Sequence, residues 1–380
     1  MTLPALTIGI EEEYLLVDPV TRDLAADPPP ELMEACKSEL GEHVTPEFLK
    51  CQIEIGTPVC DTISEARRHL SSMRACIKRN AQKHGLELMA ASTHPFANWY
   101  GQHHTRAPRY DKLNDDMGGV IRRMLICGMH VHAGIEDKDL RIDLMNQMRY
   151  FLPHLLALSN SSPFWGGRRM GMMSYRTVVW DGMPRNGIPN RFQSWGEFER
   201  LCDVMVKAGA IEDSSKIWWD LRPSSKFPTV EMRITDVCPR LEDALGIAAL
   251  YQCLLRRLAR LKRANMKWRA YPDLLVQENR FRAARYGVNG RLVDLGKGEM
   301  VPFAALLEEL IELVEDDAVA LNCVHEVHHL RRIVARGSSA MQQIEVYDKA
   351  MANGADDKEA LCQVVDHLIE QTAYDLPPSD

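Results

Sequence analysis

The chain has 380 residues, of which 46% are hydrophobic and 26% charged, and its formal net charge at pH 7 is −7. This acidic balance, without a long basic run, argues against a nucleic-acid-binding protein. The longest uncharged run, residues 150–167, contains three serines and two prolines, so we expect no membrane-spanning helix. Ten scattered cysteines form no CxxC pair, which indicates free thiols and a cytoplasmic protein.

Strands and helices alternate in the first two thirds of the chain. Alternating apolar and polar residues predict strands over residues 6–18, 48–57, 86–91, 125–135, 218–222 and 229–236. A helical period predicts helices over residues 62–84, 138–159 and 195–211, and loops are predicted over residues 27–30, 92–109 and 164–190. The last third is predicted to be helical, over residues 241–264, 303–319, 321–336, 341–351 and 358–372. This order favours a single α+β domain over residues 1–380, with a helical C-terminal section at about 241–375.

Three consecutive glutamates, Glu11 to Glu13, interrupt the first predicted strand. Because alternate residues of a strand face the same side, Glu11 and Glu13 project together and Glu12 points away. A solvated strand end would account for this spacing by itself. The neighbouring residues are apolar, however, and a buried carboxylate pair is costly unless cations compensate its charge. A divalent ion that prefers oxygen ligands, Mg²⁺ or Mn²⁺, would provide that compensation.

Three further predicted strands carry ionisable residues between apolar ones. Glu54 lies between two isoleucines, His130 and His132 share one strand face, and Glu231 and Arg233 share another. We expect these strands to form a sheet with one polar face. Carboxylates with a histidine bind Mg²⁺ or Mn²⁺, and an arginine nearby would neutralise phosphate, so this face has the composition of a phosphoryl-transfer site.

No P-loop and no glycine-rich dinucleotide motif occurs in the sequence, so ATP would bind through metals and arginines. One candidate is the arginine-rich segment that contains Arg280, Arg282, Arg285 and Arg291. The predicted loop from Trp165 to Asn190 contains Arg168, Arg169, Arg176 and Arg185 and could close over substrate carboxylates. A solvated helix face and an ordinary surface loop are the structural alternatives.

The segment His325–His329 matches the zinc-binding pattern H-E-x-x-H. On a helix, His325 and His329 would be neighbours that could hold zinc, with Glu326 as a general base. A zinc peptidase is therefore an alternative function. The short pattern lacks an identified third ligand, and it also fits an amphipathic helix with its polar residues outward.

Six sequence blocks resemble the motifs of one protein family. They occur in the family's order over residues 7–347, and they are TIGIEEEYLLVD, QIEIGTPVC, ASTHPFANW, CGMHVHAGI, PTVEMRITDV and RGSSAMQQIEVY. The sequence thus resembles the carboxylate–amine ligases, also called the glutamate–cysteine ligase type 2 family. The resemblance implies a glutamine-synthetase-like α+β fold, in which a curved and largely antiparallel sheet cradles the active site and helices pack outside it.

The resemblance also implies an activity: ATP-dependent joining of a carboxylate to an amine through an acyl phosphate, with release of ADP and phosphate. The implied substrates are glutamate and cysteine, and a homodimer is plausible. It assigns the metal ions, Mg²⁺ or Mn²⁺, to Glu11, Glu13, Glu54, His130 and Glu231. Glu231 and Arg233 would act at the transferred phosphate. ATP contacts are expected from Arg176, Arg282, Arg285 and His132, although His132 could equally be a metal ligand. A kinase-like or non-catalytic nucleotide binder on the same scaffold is the remaining alternative.

Overall fold

An antiparallel sheet of seven strands lies at the centre of the computed structural model, which describes residues 3–106 and 108–377. The strands are β1 (Ile8–Val17), β2 (Val44–Pro46), β3 (Gln52–Gly56), β4 (Glu87–Met89), β5 (Met129–Gly134), β6 (Phe164–Trp165), β7 (Arg168–Arg169), β8 (Asn186–Gly187), β9 (Trp218–Trp219), β10 (Leu221–Pro223), β11 (Thr229–Met232), β12 (Arg291–Asp294) and β13 (Glu299–Pro302). The central sheet has the order β10–β11–β5–β1–β3–β2, and β4 pairs with the C-terminal end of β1. The other strands form three two-stranded pairs.

Helices cover the sheet and make up most of the C-terminal half. They are α1 (Pro30–Leu40), α2 (Ile63–Lys83), α3 (Pro108–Met117), α4 (Gly119–Arg122), α5 (Lys138–Met148), α6 (Leu152–Ser159), α7 (Tyr175–Trp180), α8 (Trp195–Lys207), α9 (Leu241–Arg263), α10 (Asp273–Tyr286), α11 (Phe303–Ala320), α12 (Val324–Arg336), α13 (Ser339–Ala352) and α14 (Asp357–Ala373). In the described part of the chain, no helix is both long and apolar enough to cross a membrane.

The two faces of the sheet differ because successive side chains of a strand point to opposite sides. On β1, Ile8, Ile10 and Glu12 are buried, whereas Glu11 and Glu13 lie on the more open face. The buried face packs against α2 and α9. Helix α9 is tied to the sheet because the Tyr251 hydroxyl donates to the Val230 carbonyl at 3.0 Å, and α11 and α12 in turn pack on α9.

Glu12 is fully buried, and its carboxylate is neutralised by Arg74 of α2. Arg74 Nε lies 2.8 Å from one carboxylate oxygen and Arg74 Nη2 lies 2.6 Å from the other. The Tyr14 hydroxyl also donates to this carboxylate, and Arg74 Nη1 donates to the Pro239 carbonyl at 2.6 Å. Two charges inside the core are tolerable because this bidentate pair satisfies both of them.

The predicted helix over residues 138–159 is in fact two helices. Helix α5 ends at Met148 and α6 begins at Leu152, with Pro153 in the first turn of α6. Proline has no backbone N–H to donate to the preceding turn, so it favours a helix start and opposes a continuous helix. The apolar period continues across this break, which is why it predicts a single helix.

The predicted loop at 164–190 contains regular structure. Strands β6 and β7 form a hairpin around Gly166 and Gly167, whose φ values of 56° and 79° fit the two positions of a type I′ turn. Helix α7 follows within the same segment. The expected loop at 92–109 includes residue 107, which lies outside the described residues, as do residues 1, 2 and 378–380 of the predicted domain.

We expect Arg74→Met to lower the free energy of unfolding by about 3–5 kcal/mol, because it leaves the Glu12 carboxylate buried without a partner. Denaturant unfolding followed by circular dichroism measures the change. Arg79→Met is the matched control on the same helix: Arg79 pairs with Glu39 at the surface, where an ion pair contributes about 0–1 kcal/mol. Equal losses in the two variants would contradict the structural role given to Arg74.

Candidate active site

The register of the sheet brings the predicted polar residues together on its open face. Glu11 of β1 lies opposite His130 of β5, and Glu13 lies opposite Glu54 of β3. One strand further on, Glu231 of β11 is paired with His132 of β5. Side chains that face each other across neighbouring antiparallel strands are close enough to interact directly, so one continuous polar surface results.

Glu11 is at the centre of this surface and contacts both histidines. One of its carboxylate oxygens lies 3.2 Å from His130 Nδ1, and the other lies 3.3 Å from His132 Nε2. Burial raises the pKa of Glu11, but the two histidines outweigh it and hold that pKa well below the usual range. Burial and the positive charge of Arg233 lower the pKa of His130 to about 4, so its imidazole is neutral at pH 7 and available as a ligand.

Glu231 is held between two arginines and is almost completely buried. Arg222 Nε on β10 donates to one carboxylate oxygen at 2.9 Å, and Arg233 Nη1 donates to the other. Although burial raises the pKa of Glu231, the two guanidinium groups dominate and keep it well below the usual range. Glu231 is thus a fixed anion that orients Arg233 next to His130, at 3.4 Å between Arg233 Nη1 and His130 Nδ1.

Glu13 and Glu54 form an acidic group with Glu47, which precedes β3. The Gly128 backbone N–H donates to Glu13 at 2.7 Å, and the Thr45 hydroxyl donates to Glu54 at 3.0 Å. Burial and the charge of Glu54 raise the pKa of Glu13 to about 7. Burial and the charges of Glu47 and Glu11 raise the pKa of Glu54 well above its usual range.

Three sets of side chains on this face could each hold a metal ion, because their ligand atoms lie within 4.8 Å of one another. The sets are Glu11, Glu54 and His130; Glu11, His132 and Glu231; and Glu13, Glu47 and Glu54. Carboxylate oxygens with single imidazole nitrogens suit Mg²⁺ or Mn²⁺. Burial and the charge of Glu54 raise the pKa of Glu13, so a cation would relieve an unfavourable charge there, and His132 Nε2 is buried without a well-directed hydrogen bond. The residues therefore fit the expected ions.

A cavity of about 140 Å³ opens beside the Glu13 end of this face. Its polar lining includes Glu13, Glu47, Gln52, His130, Arg176 and Arg233, and its apolar lining includes Phe48, Met124, Met183, Trp180 and Trp218. Arg176 comes from α7, inside the segment predicted to be a loop. The cavity and the polar surface are thus contiguous.

Two arginines predicted to contact ATP are not part of this arrangement. Arg282 donates to the Arg291 carbonyl at 2.7 Å, and Arg285 lies over the Tyr286 ring at 5.2 Å. Neither lines the 140 Å³ cavity. Arg280 of the same helix pairs with Asp181 and Asp220, which is a structural role.

The H-E-x-x-H segment lies on α12, where its residues have other partners. Glu326 pairs with Arg67 at 3.0 Å, and His329 Nε2 lies 2.8 Å from Asp243, whereas His325 is exposed. Among the described residues, none of the three candidate metal sets includes a member of this segment. The pattern is accounted for by helix packing, and the geometry gives the zinc peptidase no support.

Sequence reasoning missed two residues of the polar face, Glu47 and Arg222. Glu47 lies outside the alternating pattern of β3 and reaches Glu54 only because the chain folds back between β2 and β3. Arg222 lies within a predicted strand, but alternation within a strand does not indicate which strand will pair with it. Only the antiparallel pairing of β10 with β11 places Arg222 opposite Glu231.

Carboxylates and imidazoles on one face of the sheet can hold divalent metals, and the arginines beside them can neutralise phosphate, as phosphoryl transfer requires. The chain belongs to glutamate–cysteine ligase family 2 (GCS2), whose profile matches residues 7–367, and it is an ATP-dependent ligase. It is 56% identical over 380 residues to a Rhodospirillum rubrum protein named "Putative glutamate--cysteine ligase 2", with 99% of this chain and 98% of the relative covered. A Paracoccus denitrificans protein of the same name is 50% identical, with 98% and 99% covered.

Solved structures confirm the expected glutamine-synthetase-like α+β fold. A glutamate–cysteine ligase from Francisella tularensis, solved in complex with AMP, superposes with a TM-score of 0.67 at 14% identity, covering 99% of this chain and 90% of that one. A bifunctional glutathione synthetase from Pasteurella multocida superposes with a TM-score of 0.70 at 15% identity. The match covers 97% of this chain but 53% of the Pasteurella chain, so the chain spans about half of that protein.

We expect Glu54→Gln to raise the melting temperature of the metal-free protein by about 2 °C, which corresponds to about 1 kcal/mol. The reason is that burial, Glu47 and Glu11 oppose ionisation of this carboxyl in the folded protein, and an amide has no such cost. The same variant should lose most of the stabilisation that Mg²⁺ gives the wild type, which reaches about 2.7 kcal/mol at 100 times the Kd. Thermal melts with and without Mg²⁺ measure both effects.

Glu345→Gln is the matched control, because Glu345 is exposed on α13 and pairs with Lys349. It should respond to Mg²⁺ as the wild type does. Undiminished stabilisation of Glu54→Gln by Mg²⁺ would exclude Glu54 as a ligand.

Proposed function

We propose that the chain joins the γ-carboxylate of glutamate to the amine of cysteine, with ATP converted to ADP and phosphate. The observation that carries this proposal is the row of three potential metal sets that share Glu11 and Glu54, next to the arginine-held Glu231. The names of the relatives in Rhodospirillum and Paracoccus support the choice of substrates. We further propose that residues 1–380 act as one catalytic domain, in the cytoplasm and as a homodimer.

The proposed metal ligands are Glu11, Glu13, Glu54, His130 and Glu231, with Glu47 and His132 added from the geometry. When bound, Mg²⁺ or Mn²⁺ would neutralise the phosphate oxygens of ATP and bring them to this face. Glu11 and Glu54 each belong to two sets, so each of these carboxylates would contribute to two neighbouring ion sites. Glu47 is an additional ligand: with Glu13 and Glu54 it forms the set at the Glu13 end of the face.

The proposed position of ATP is the end of the face formed by His132 and Gly9. Gly9 and Gly56 flank Glu11, and a Cβ at either position would meet the nearest atom only at 3.8 Å. Packing within the chain therefore does not require glycine at these two positions. A ligand that lies directly against the backbone would require it, because a side chain would block the approach. Phe227 is 46% exposed and its ring centroid is 6.0 Å from that of His132, so it offers a wall for an adenine base.

The proposed reaction has two steps. An oxygen of the γ-carboxylate forms a bond to the γ-phosphorus of ATP, and the bond from that phosphorus to the bridging oxygen of ADP breaks. The amine nitrogen then bonds to the acyl carbon, phosphate leaves with its oxygen, and the nitrogen loses a proton. Arg233, held by Glu231, stabilises the charge on the transferring group, and binding of both substrates on one face brings the amine close to the acyl phosphate.

A kinase-like nucleotide binder is the second candidate, because the same face could bind ATP without accepting an amine. The two functions differ in whether an amine increases ADP release. The exposure of His325 and the engagement of His329 with Asp243 leave the zinc peptidase without an observation in its favour.

We expect ADP release by the purified protein with Mg²⁺ and ATP to require both an acid and an amine, with glutamate and cysteine the best pair in a panel of amino acids and amines. Glu231→Gln should lower kcat by about 10²–10³-fold, because Arg233 loses the anion that orients it. A coupled ADP assay measures both results.

His325→Ala serves as the matched control, since it lies outside the polar face and also tests the zinc alternative. Its rate should equal that of the wild type. ADP release that no amine raises above the Glu231→Gln background would refute the ligase reaction and favour the nucleotide binder.

A further inference from the structure

Arg176 is a buried cation without an ion pair. Its exposed fraction is 4%, and no carboxylate oxygen of the described residues lies within ion-pair distance of its guanidinium group, while the charges of Asp236 and Glu13 act on it from further away and offset only part of the cost of its burial. Two of its five N–H donors are used, from Nη1 to the Ile234 carbonyl at 3.3 Å and from Nη2 to the Arg233 carbonyl at 3.1 Å. Its Nε is buried and has no partner.

Unlike Arg176, the neighbouring arginines have a carboxylate partner. Arg222 and Arg233 both bind the Glu231 carboxylate. A buried charge is costly unless an anion compensates it, and Arg176 lines the 140 Å³ cavity with donors to spare. The missing anion is therefore expected to come from a ligand in that cavity.

The fold keeps Arg176 in place through the fully buried Asp236. One Asp236 oxygen accepts from the Ser162 hydroxyl and the other from the Ser174 hydroxyl, both at 2.8 Å. Ser162 Oγ accepts from the Arg176 backbone N–H at 3.1 Å, and Ser174 is the residue before α7. Asp236 thus fixes the start of the helix that carries Arg176.

Gly128 makes the space in which the guanidinium group lies. A Cβ at this position would overlap Arg176 Nη2, so any larger residue must displace the arginine. The backbone N–H of the same glycine holds Glu13, a member of the nearest potential metal set. One backbone position therefore sets the distance between the arginine and the metal-binding carboxylates.

The cavity is at the Glu13 end of the polar face, away from the proposed nucleotide position at Gly9 and His132. Its volume of about 140 Å³ is small for a nucleotide, since pockets for drug-sized ligands measure about 300–1,000 Å³. An amino acid is a better match in size. Arg233, which also lines the cavity, is already paired with Glu231, and this leaves Arg176 as the group that would attract a carboxylate.

We propose that Arg176 anchors the non-reacting carboxylate of an amino-acid substrate, and that Gly128 and Asp236 are positioning residues for it. The proposal rests on the ligase function proposed above and assigns Arg176 to the amino acid instead of ATP. The carboxylate could belong to the acid substrate or to the amine substrate, and these sources share the same chemistry. Each can be tested with an analogue that lacks only this carboxylate.

The test compares L-glutamate with 4-aminobutanoate and L-cysteine with cysteamine, in the wild type and in Arg176→Met. For the substrate that Arg176 anchors, kcat/KM of the wild type should favour the carboxylate-bearing compound by about 100-fold. Arg176→Met should reduce this preference to less than about 10-fold and leave the KM for ATP within about twofold of the wild-type value. Arg176→Lys should restore part of the preference, because it keeps the charge.

Gly128→Ala tests the positioning role, because the added methyl group would overlap Arg176 Nη2 while the backbone N–H that donates to Glu13 is kept. It should raise the KM for the anchored amino acid by about 10-fold with little change in kcat. Gly101→Ala is the matched control, since a Cβ at Gly101 would meet no atom within 4 Å. In the Arg176→Met background, Gly128→Ala should have almost no further effect, because the two changes remove one interaction.

Binding measured without turnover separates this inference from the proposed reaction. Trp180 and Trp218 line the cavity, so quenching of tryptophan fluorescence by the amino acid reports on it directly. Wild type that binds glutamate or cysteine but releases no ADP would refute the ligase reaction and retain the anchor. Unchanged preferences in Arg176→Met for both pairs, or a change only in the affinity for ATP, would overturn the anchor.

Discussion

The structure depends on the register of β1 between β3 and β5. In this register Glu13 lies opposite Glu54 and Glu11 opposite His130. Facing side chains on antiparallel strands have Cβ atoms about 4.5–5.5 Å apart, a spacing at which two ligands can share one cation. A slip of one residue would turn Glu11 and Glu13 to the core and bring Glu12 to the open face. The open face would then lose two potential metal ligands, and the buried face would lose the partner of Arg74.

The buried ion pair behind the sheet makes such a slip unfavourable. Arg74 is fully buried and is satisfied only while Glu12 points toward α2. Three adjacent glutamates of one strand thus have two unlike environments. Glu12 is compensated within the protein, whereas Glu13 has a raised pKa because it is buried close to Glu54. Unfavourable charge is concentrated on the side of the sheet where ligands would bind, and stability comes from the other side.

Alternation within strands was enough to find most of the candidate site. It identified Glu11, Glu13 and Glu54 because the period of two is a local property of the chain. It could not find Glu47, which approaches Glu54 through the turn between β2 and β3. A match to a short pattern was misleading for His329, because the same i, i+4 spacing also places a buried histidine against Asp243 of α9.

By itself, the sequence determined the family, the α+β class and which residues share a strand face, because sequence motifs and alternation are properties of short segments. Only the tertiary structure decided the strand order β10–β11–β5–β1–β3–β2, and with it which carboxylates, histidines and arginines meet. It also decided that Arg176 lies in a cavity while Arg282 contacts the Arg291 carbonyl. These outcomes depend on packing between segments far apart in the chain, and no local pattern encodes the partner of a strand or a guanidinium group.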